Sequence, residues 1–194
     1  NGTTQKDGLV TSIELPKRST LVCFQIVEYL RGFLFGRVGL DAMDCNLILS
    51  GAFSLFQKSA VFAVGGFASD SVTEDMEIVL RLHRHYRLKK IPYSIRFVSD
   101  PICWTEVPEN MRMLGRQRRR WHLGMIQSIW KHKTVLLNPR YGRLGLLAMP
   151  YNVFIEMISP LIEFLGYIVM PLSYYFGLIN YDFFLLFLVL AIGY

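Results

Sequence analysis

Residues 144–194 contain no Lys or Arg, and their only charged side chains are Glu156, Glu163 and Asp182. An α-helix that crosses a membrane needs about 20 consecutive apolar residues. The stretch is long enough for one full span and part of a second. We predict a short interfacial piece up to residue 149, a kinked span over residues 151–178, a turn at residues 180–182, and a second span that begins at residue 183.

Two carboxylates of this stretch, Glu156 and Glu163, are seven residues apart and therefore share one face of the predicted helix. A charge inside a bilayer is costly, so intramembrane carboxylates usually face protein or water. We expect either that this face meets protein or a water-filled path, or that Glu156 lies near the lipid headgroups.

The basic residues end where the apolar stretch begins. Residues 81–143 hold 15 of the 21 Lys and Arg side chains, so the net charge of +6 describes mainly this segment. A basic segment next to an apolar one is typical of a cytoplasmic loop beside a membrane span. Nucleic-acid binding also uses basic surfaces, but the long apolar continuation favours a membrane surface, and we predict no nucleic-acid partner.

The cysteines and histidines predict neither a disulfide framework nor a zinc site. Cys23, Cys45 and Cys103 are odd in number and widely spaced, which is typical of free thiols in a reducing cytosol. His83 and His85 are two residues apart, so on a helix they point to different faces. We expect both to be solvated surface histidines.

Apolar periodicity and turn residues indicate a mixture of strands and helices before the apolar stretch. We predict short strands at residues 9–15, 46–56, 95–98 and 102–105. We predict helices at residues 19–35, at 59–64 with a stop at Gly65-Gly66, and from a Ser71 or Thr73 cap to the basic residues near 90. A long basic amphipathic helix is predicted over residues 109–132, in a position suited to the membrane interface.

An acidic cluster opens the helix that follows Thr73. Glu74, Asp75 and Glu77 lie in its first turn, where the helix dipole favours negative charge. A carboxylate in this position can act as a general base that removes a proton from an attacking hydroxyl. Ordinary stabilisation of the helix dipole explains the same residues, so this cluster alone leaves both interpretations open.

A second polar cluster lies about forty residues downstream. Gln117, Arg120 and Trp121 follow the spacing Q-x-x-R-W, and Arg118 and Arg119 add charge. Arginine suits bidentate contact with phosphate, and an indole face can stack on a sugar ring. A basic interfacial helix would explain the arginines but not the glutamine at its fixed offset.

The sequence T-E-D at residues 73–75, followed by Q-x-x-R-W at residues 117–121 and then by apolar spans, resembles the membrane-bound inverting family 2 glycosyltransferases. That family includes cellulose, chitin, hyaluronan and poly-N-acetylglucosamine synthases. The similarity runs from about residue 19 to residue 179, and the stretches 73–83 and 115–121 resemble bacterial members. The resemblance implies a multi-pass protein of the bacterial cytoplasmic membrane with its catalytic part in the cytosol.

The resemblance also implies a fold and its boundaries. It implies an α/β partial GT-A-type glycosyltransferase domain (the acceptor half), followed by interfacial and transmembrane helices. Residues 1–108 would form the C-terminal half of the cytosolic catalytic domain. Residues 109–143 would form the amphipathic interfacial region with Q-x-x-R-W, and residues 144–194 the transmembrane region with one full span and a truncated second span.

Individual residues acquire roles from the same resemblance. Asp75 would be the catalytic base, and the acceptor and departing diphosphate would be bordered by Glu74, Gln117, Arg120 and Trp121. Ser50-Gly51 falls where the family has a small-residue motif beneath the acceptor sugar. We expect the carboxylate at 75 and the indole at 121 to converge on one saccharide pocket just above the lipid.

One family feature is missing from the sequence. The family holds its divalent cation (Mg or Mn) and its nucleotide sugar with a D-x-D motif, and no D-x-D occurs here. We therefore expect an internal piece of a larger protein whose metal ligands lie elsewhere, and we expect the isolated piece to be inactive.

The resemblance leaves the product of the reaction open. The implied partners are a nucleotide sugar, a carbohydrate or lipid-linked acceptor, and membrane lipid. Processive polysaccharide synthesis is the leading interpretation. The alternatives are a non-processive transferase that forms a glycolipid and a non-catalytic scaffold that binds membrane lipid through its basic helix.

Overall fold

The structure is a computed structural model that describes residues 3–6, 9–13, 19–51, 53–99 and 105–193. The chain divides into two compact units, Asn1–Pro150 and Tyr151–Tyr194.

The described part of the first unit is mostly helical. An antiparallel hairpin of β1 (Thr3–Lys6) and β2 (Leu9–Ile13) precedes the helices. The helices are α1 (Thr20–Leu30), a π-helical segment (Arg31–Arg37), α2 (Val38–Ala42), α3 (Lys58–Ala63), α4 (Glu74–Lys89) and α5 (Met111–Lys131). Two 3-10 turns (Lys133–Val135 and Pro139–Tyr141), a π-helical segment (Leu144–Ala148) and the start of α6 (Met149–Tyr151) complete the unit.

Several predicted helix boundaries are confirmed. The Ser19 hydroxyl accepts a hydrogen bond from the Val22 amide at the start of α1, and the side-chain Oδ1 atom of Asn110 accepts one from the Met113 amide at the start of α5. Gly65 and Gly66 both have positive φ after α3, as the helix-stop signal predicted. The helix predicted over residues 19–35 continues through α2, since no proline interrupts it.

Helix α4 supplies the core of the first unit. Its residues Ile78, Val79 and Leu82 are buried, and burial of such a side chain stabilises the fold by about 1.5–3 kcal/mol. The partly buried hydrophobic residues packed against them come from α3, from the flanking loops and from α4 itself: Leu49, Phe56, Ala60, Val61, Val64, Tyr86 and Ile95.

Two predicted strands are wrong. Residues 46–51 and 53–56 form no strand, because the Ser50 carbonyl accepts hydrogen bonds from the Phe53 amide at 3.2 Å and the Ser54 hydroxyl at 2.6 Å, which closes a turn. Residues 95–98 have the sequence pattern of a β-strand, but they pair with no other strand. Most of the strand predicted at 102–105 lies outside the described residues, as does Cys103. The α/β GT-A class therefore stays a prediction.

The second unit contains the remaining helices: the end of α6, a π-helical segment (Asn152–Met157), α7 (Ser159–Tyr175) and α8 (Tyr181–Gly193). Among the described residues one helix, Leu144–Tyr175, is long and apolar enough to cross a membrane, and Tyr181–Ala191 is a shorter apolar helix. This helix starts at Leu144 rather than at the predicted residue 151. Pro150 does not end it, because π-helical turns flank the proline on both sides.

Glu156 and Glu163 of the second unit have hydroxyl partners four or five residues away. The Tyr151 hydroxyl donates to Glu156 at 3.1 Å, and the Ser159 hydroxyl donates to Glu163 at 2.7 Å. These bonds satisfy part of the polar capacity of each carboxylate within its own helix.

Candidate active site

Asp75 lies in the first turn of α4, directly against the turn at Ser50-Gly51. A Cβ atom placed on Gly51 would lie 2.8 Å from the Asp75 Oδ2 atom. The other carboxylate oxygen accepts a hydrogen bond from the Met76 amide at 2.8 Å. Glu74 is exposed beside it. The structure thus brings the predicted residues Gly51 and Asp75 together, and a side chain at position 51 would have to displace the Asp75 carboxylate.

A cation missed by the sequence interpretation lies near Asp75. Burial lowers the pKa of the Arg37 guanidinium to about 10, and the charge of the nearby Asp75 carboxylate opposes that shift. Arg37 ends the π-helical segment that follows α1. No motif in the sequence marks this arginine, because its place beside Asp75 depends on how the helices pack.

Helix α5 packs against the residues that precede Asp75. A Cβ atom on Gly124 would lie 2.2 Å from the Thr73 Cγ2 atom and 2.3 Å from its Oγ1 atom. The Val72 amide also donates to the Gln127 side chain at 3.4 Å. The Q-x-x-R-W helix therefore touches the residue immediately before Glu74-Asp75.

Gln117 and Trp121 share a face of α5 with Gly124, since the three residues follow one another at helical spacings of four and three. With a rise of about 1.5 Å per residue, Trp121 lies one turn and Gln117 two turns before the contact with Thr73. Arg120 lies on the adjacent, exposed side of the helix.

The indole of Trp121 already has two neighbours. The Arg118 guanidinium lies 4.9 Å from its ring centroid, and the Tyr29 ring of α1 lies 6.4 Å away. Arg118 also forms an ion pair with Glu28 of α1. Helix α1, which the sequence marked only as amphipathic, therefore forms part of the surroundings of Q-x-x-R-W.

Two of the buried polar side-chain atoms that have no hydrogen-bond partner among the described residues belong to the T-E-D and Q-x-x-R-W motifs. They are Thr73 Oγ1 and Gln117 Oε1. Buried polar atoms are nearly always satisfied in native proteins, so such atoms favour a ligand that brings hydrogen-bonding groups.

Glu77 is a buried structural carboxylate rather than a solvated first-turn acid. Its side chain is fully buried and forms an ion pair with Arg81 at 2.6 Å. Lys131 and His132, at the end of α5, approach the other carboxylate oxygen at 3.6 and 3.3 Å. Burial lowers the pKa of His132, and Glu77 opposes this shift. Glu77 thus connects α4 to the end of α5.

The prediction that His83 is solvated is wrong. His83 lies on the buried face of α4, one turn after Val79, and is 1% exposed. Its Nε2–H donates to the Asn46 carbonyl at 2.8 Å, so its Nδ1 atom accepts from the Tyr93 hydroxyl. Burial lowers the pKa of His83 to about 4, which keeps the ring neutral at pH 7. His85 is partly exposed.

A family model describing glycosyl transferase family group 2 matches residues 19–194. The chain belongs to this family.

Two curated relatives of the chain carry the same name. The chain is 37% identical over 111 residues to a poly-beta-1,6-N-acetyl-D-glucosamine synthase of Staphylococcus aureus, a match that covers 56% of the chain and 25% of the relative. It is 32% identical over 120 residues to the synthase of that name from Staphylococcus epidermidis, covering 59% and 27%. The chain therefore spans about a quarter of the length of these relatives. No solved structure matches.

The divalent cation implied by the family finds no ligand set in the described part of this glycosyl transferase chain. No group of three His, Cys, Asp or Glu side chains lies close enough there to hold a metal ion. The residues near Asp75 include a cation, Arg37. These residues do not fit a metal ion.

Proposed function

We propose that this chain is the acceptor side of a membrane-bound, inverting glycosyltransferase of the GT-A type, with Asp75 as its general base. The enzyme would transfer a sugar from a nucleotide sugar to a carbohydrate or lipid-linked hydroxyl. The observation that carries this proposal is the packing of Gly124 against Thr73. That contact joins the helix of Gln117 and Trp121 to the residue before Glu74-Asp75.

The proposed reaction is a single displacement. The acceptor hydroxyl attacks the anomeric carbon while Asp75 takes its proton. The new oxygen–carbon bond forms as the bond from the anomeric carbon to the diphosphate breaks, and the electron pair leaves on the diphosphate. Exposed Arg120 can pair with that leaving group. Arg37 adds a second positive charge near Asp75.

Acceptor binding is proposed at the contact between α4 and α5. Hydroxyl groups of a sugar would satisfy the orphaned Thr73 and Gln117 oxygen atoms. The Trp121 indole would provide the stacking surface, with Gly51 leaving room beside the Asp75 carboxylate. A saccharide stacked on Trp121 must replace the Arg118 guanidinium that now lies over the ring.

Membrane attachment is proposed through the helix Leu144–Tyr175, since only 6% of its most apolar 18-residue stretch is buried. The named relatives are synthases of a polymer, which supports processive synthesis of an amino-sugar polysaccharide. Release of products with a single added sugar would instead indicate the non-processive transferase.

The decisive test replaces Asp75 by Asn in the full-length enzyme. Loss of a general base lowers kcat by about 10²–10⁴-fold, and we expect this loss in a radiolabelled sugar-transfer assay on membranes. Asp70→Asn is the matched control, because Asp70 is exposed and pairs only with Lys131 in the described structure. Near-normal transfer by Asp75→Asn would reject the proposed base.

A second variant separates the enzyme from a lipid-binding scaffold. Arg112→Ala removes an exposed charge at the start of α5. A transferase should keep its activity, whereas a scaffold should lose its affinity for anionic vesicles while Asp75→Asn changes nothing.

A further inference from the structure

A cavity of about 550 Å³ lies beside the C-terminus of α4, at the opposite end of that helix from Asp75. Fifteen residues at a rise of about 1.5 Å separate the two positions by roughly 20 Å. The walls come from the end of α4, from residues 91–95 and from the 3-10 turn Pro139–Tyr141. The cavity is therefore distinct from the proposed active site.

Three cations line this cavity: Arg87, Lys90 and Arg140. Lys90 and Arg140 are exposed and form no ion pair within the described part of the chain. Arg87 donates to the carbonyl oxygens of Asp44 and Tyr141 at 2.8 and 2.7 Å. These acceptors are neutral, so they hold the guanidinium in place without cancelling its charge.

Little negative charge opposes these cations. Asp44 is the one carboxylate among the described lining residues, and Arg96 pairs with it at 3.2 Å from outside the cavity. His83 also lines the cavity and is neutral at pH 7, since burial lowers its pKa to about 4. The cavity thus has a surplus of positive charge.

The wall of the cavity is also rigid. Tyr86 and Tyr93 stack with ring centroids 5.2 Å apart, and the Tyr93 hydroxyl accepts from Arg87 Nε at 2.8 Å. Lys90 ends α4 in the left-handed conformation with φ of 54°, which turns the chain into the loop that closes the cavity. The arginine is therefore fixed before any ligand arrives, which lowers the entropic cost of binding.

We propose that this cavity binds a phosphate-bearing anion through Arg87, Lys90 and Arg140. Arginine and lysine are the usual partners of phosphate oxygens, and each terminal nitrogen of the Arg87 guanidinium keeps one N–H beyond the one that it donates to a carbonyl oxygen. Arg140 lies four residues before Leu144, where the apolar helix begins. The phosphate can therefore come from a phospholipid headgroup or from a free phosphate in solution. This binding does not depend on the proposed transferase activity.

The experiment measures ligand adducts of the purified full-length protein by native mass spectrometry. Phosphatidylglycerol, phosphatidylcholine and inorganic phosphate are titrated separately in a neutral detergent. The variant Lys90→Gln/Arg140→Gln removes two lining charges. The control Lys89→Gln/Lys133→Gln removes two exposed charges that do not line the cavity. The single variants Lys90→Gln and Arg140→Gln serve if the double variant does not fold.

We expect the Kd for the phosphate-bearing probe to rise by at least about tenfold in the cavity variant and to stay unchanged in the control. Binding of phosphatidylglycerol alone identifies a lipid headgroup as the source, and binding of inorganic phosphate identifies a free anion. Equal Kd values for the wild type and the cavity variant, or no preference of any anionic probe over phosphatidylcholine, would overturn the proposal. Because no sugar transfer is measured, failure here leaves the proposed function untouched.

Discussion

The contact between α5 and Thr73 leads to a prediction about two glycines of the same helix. Gly124→Ala would place a methyl carbon 2.2 Å from the Thr73 Cγ2 atom, and even the Thr73 Cβ atom is only 2.7 Å away. Carbon atoms pack at about 3.5–4.0 Å, so α5 must move away from the start of α4 by roughly 1 Å. Gly115→Ala has no atom within 4 Å and needs no movement.

The magnitude follows from the two variants together. Both replace a glycine inside α5, so both gain about 0.8–1.0 kcal/mol of helix propensity. Only Gly124→Ala overpacks a contact, which costs about 1–3 kcal/mol. The free energy of unfolding should therefore be lower for Gly124→Ala than for Gly115→Ala by about 1–3 kcal/mol. Gly115→Ala should be slightly more stable than the wild type.

Chemical denaturation of the purified protein, followed by circular dichroism, measures this difference. A displacement of about 1 Å in a catalytic arrangement can cost about 10²-fold in rate, so sugar transfer should fall in Gly124→Ala alone. Thr73→Gly removes all three clashing atoms and should restore stability in Gly124→Ala. Equal stability and activity of the Gly124 and Gly115 variants would refute the packing of α5 against Thr73.

Three further outcomes are expected. Gly51→Ala should lower kcat by about 10²-fold with little change in stability, because the added methyl group displaces only the Asp75 carboxylate; a normal kcat in transfer assays would contradict this. Glu77→Gln should lower the free energy of unfolding by about 1.5–3 kcal/mol in denaturant titrations, because Arg81 and Lys131 lose their charge-assisted contacts with a fully buried carboxylate; a loss below about 1 kcal/mol would exclude a structural ion pair. Because the pKa of folded His83 is about 4 and that of an unfolded histidine is about 6.5, the unfolded state binds more protons between these values. Stability should therefore fall by about 3 kcal/mol from pH 7 to pH 4, and His83→Gln should flatten that slope.

Features that depend on local sequence could be predicted. The stop at Gly65-Gly66 and the extent of α4 follow from side chains within a few residues of each boundary. The apolar composition predicted a long apolar helix, but not its start at Leu144. The start was missed because π-helical turns on both sides of Pro150 allow the helix to continue past that proline.

Features that depend on tertiary partners could not be predicted. The run 46–56 has a strand-like composition, yet a strand needs a hydrogen-bonding neighbour and the Ser50 carbonyl is engaged in a turn instead. His83 looked like a surface residue because the sequence does not show that Asn46 and Tyr93 complete its hydrogen bonds. Of the proposed site, both motifs could be located from sequence, whereas Arg37 and the stacking of Arg118 on Trp121 arise only from packing.

Helix α5 is fastened to α4 at two places, at Gly124 through Thr73 and at its end through Glu77. Contacts at two separated points on α5 fix both its rotation about the helix axis and its position along that axis. The half of α5 that carries Gln117 and Trp121 is therefore positioned by these two contacts together with the Arg118–Glu28 ion pair to α1. Variants at Lys131 or His132 should therefore change the affinity for the saccharide acceptor, although neither side chain would contact it.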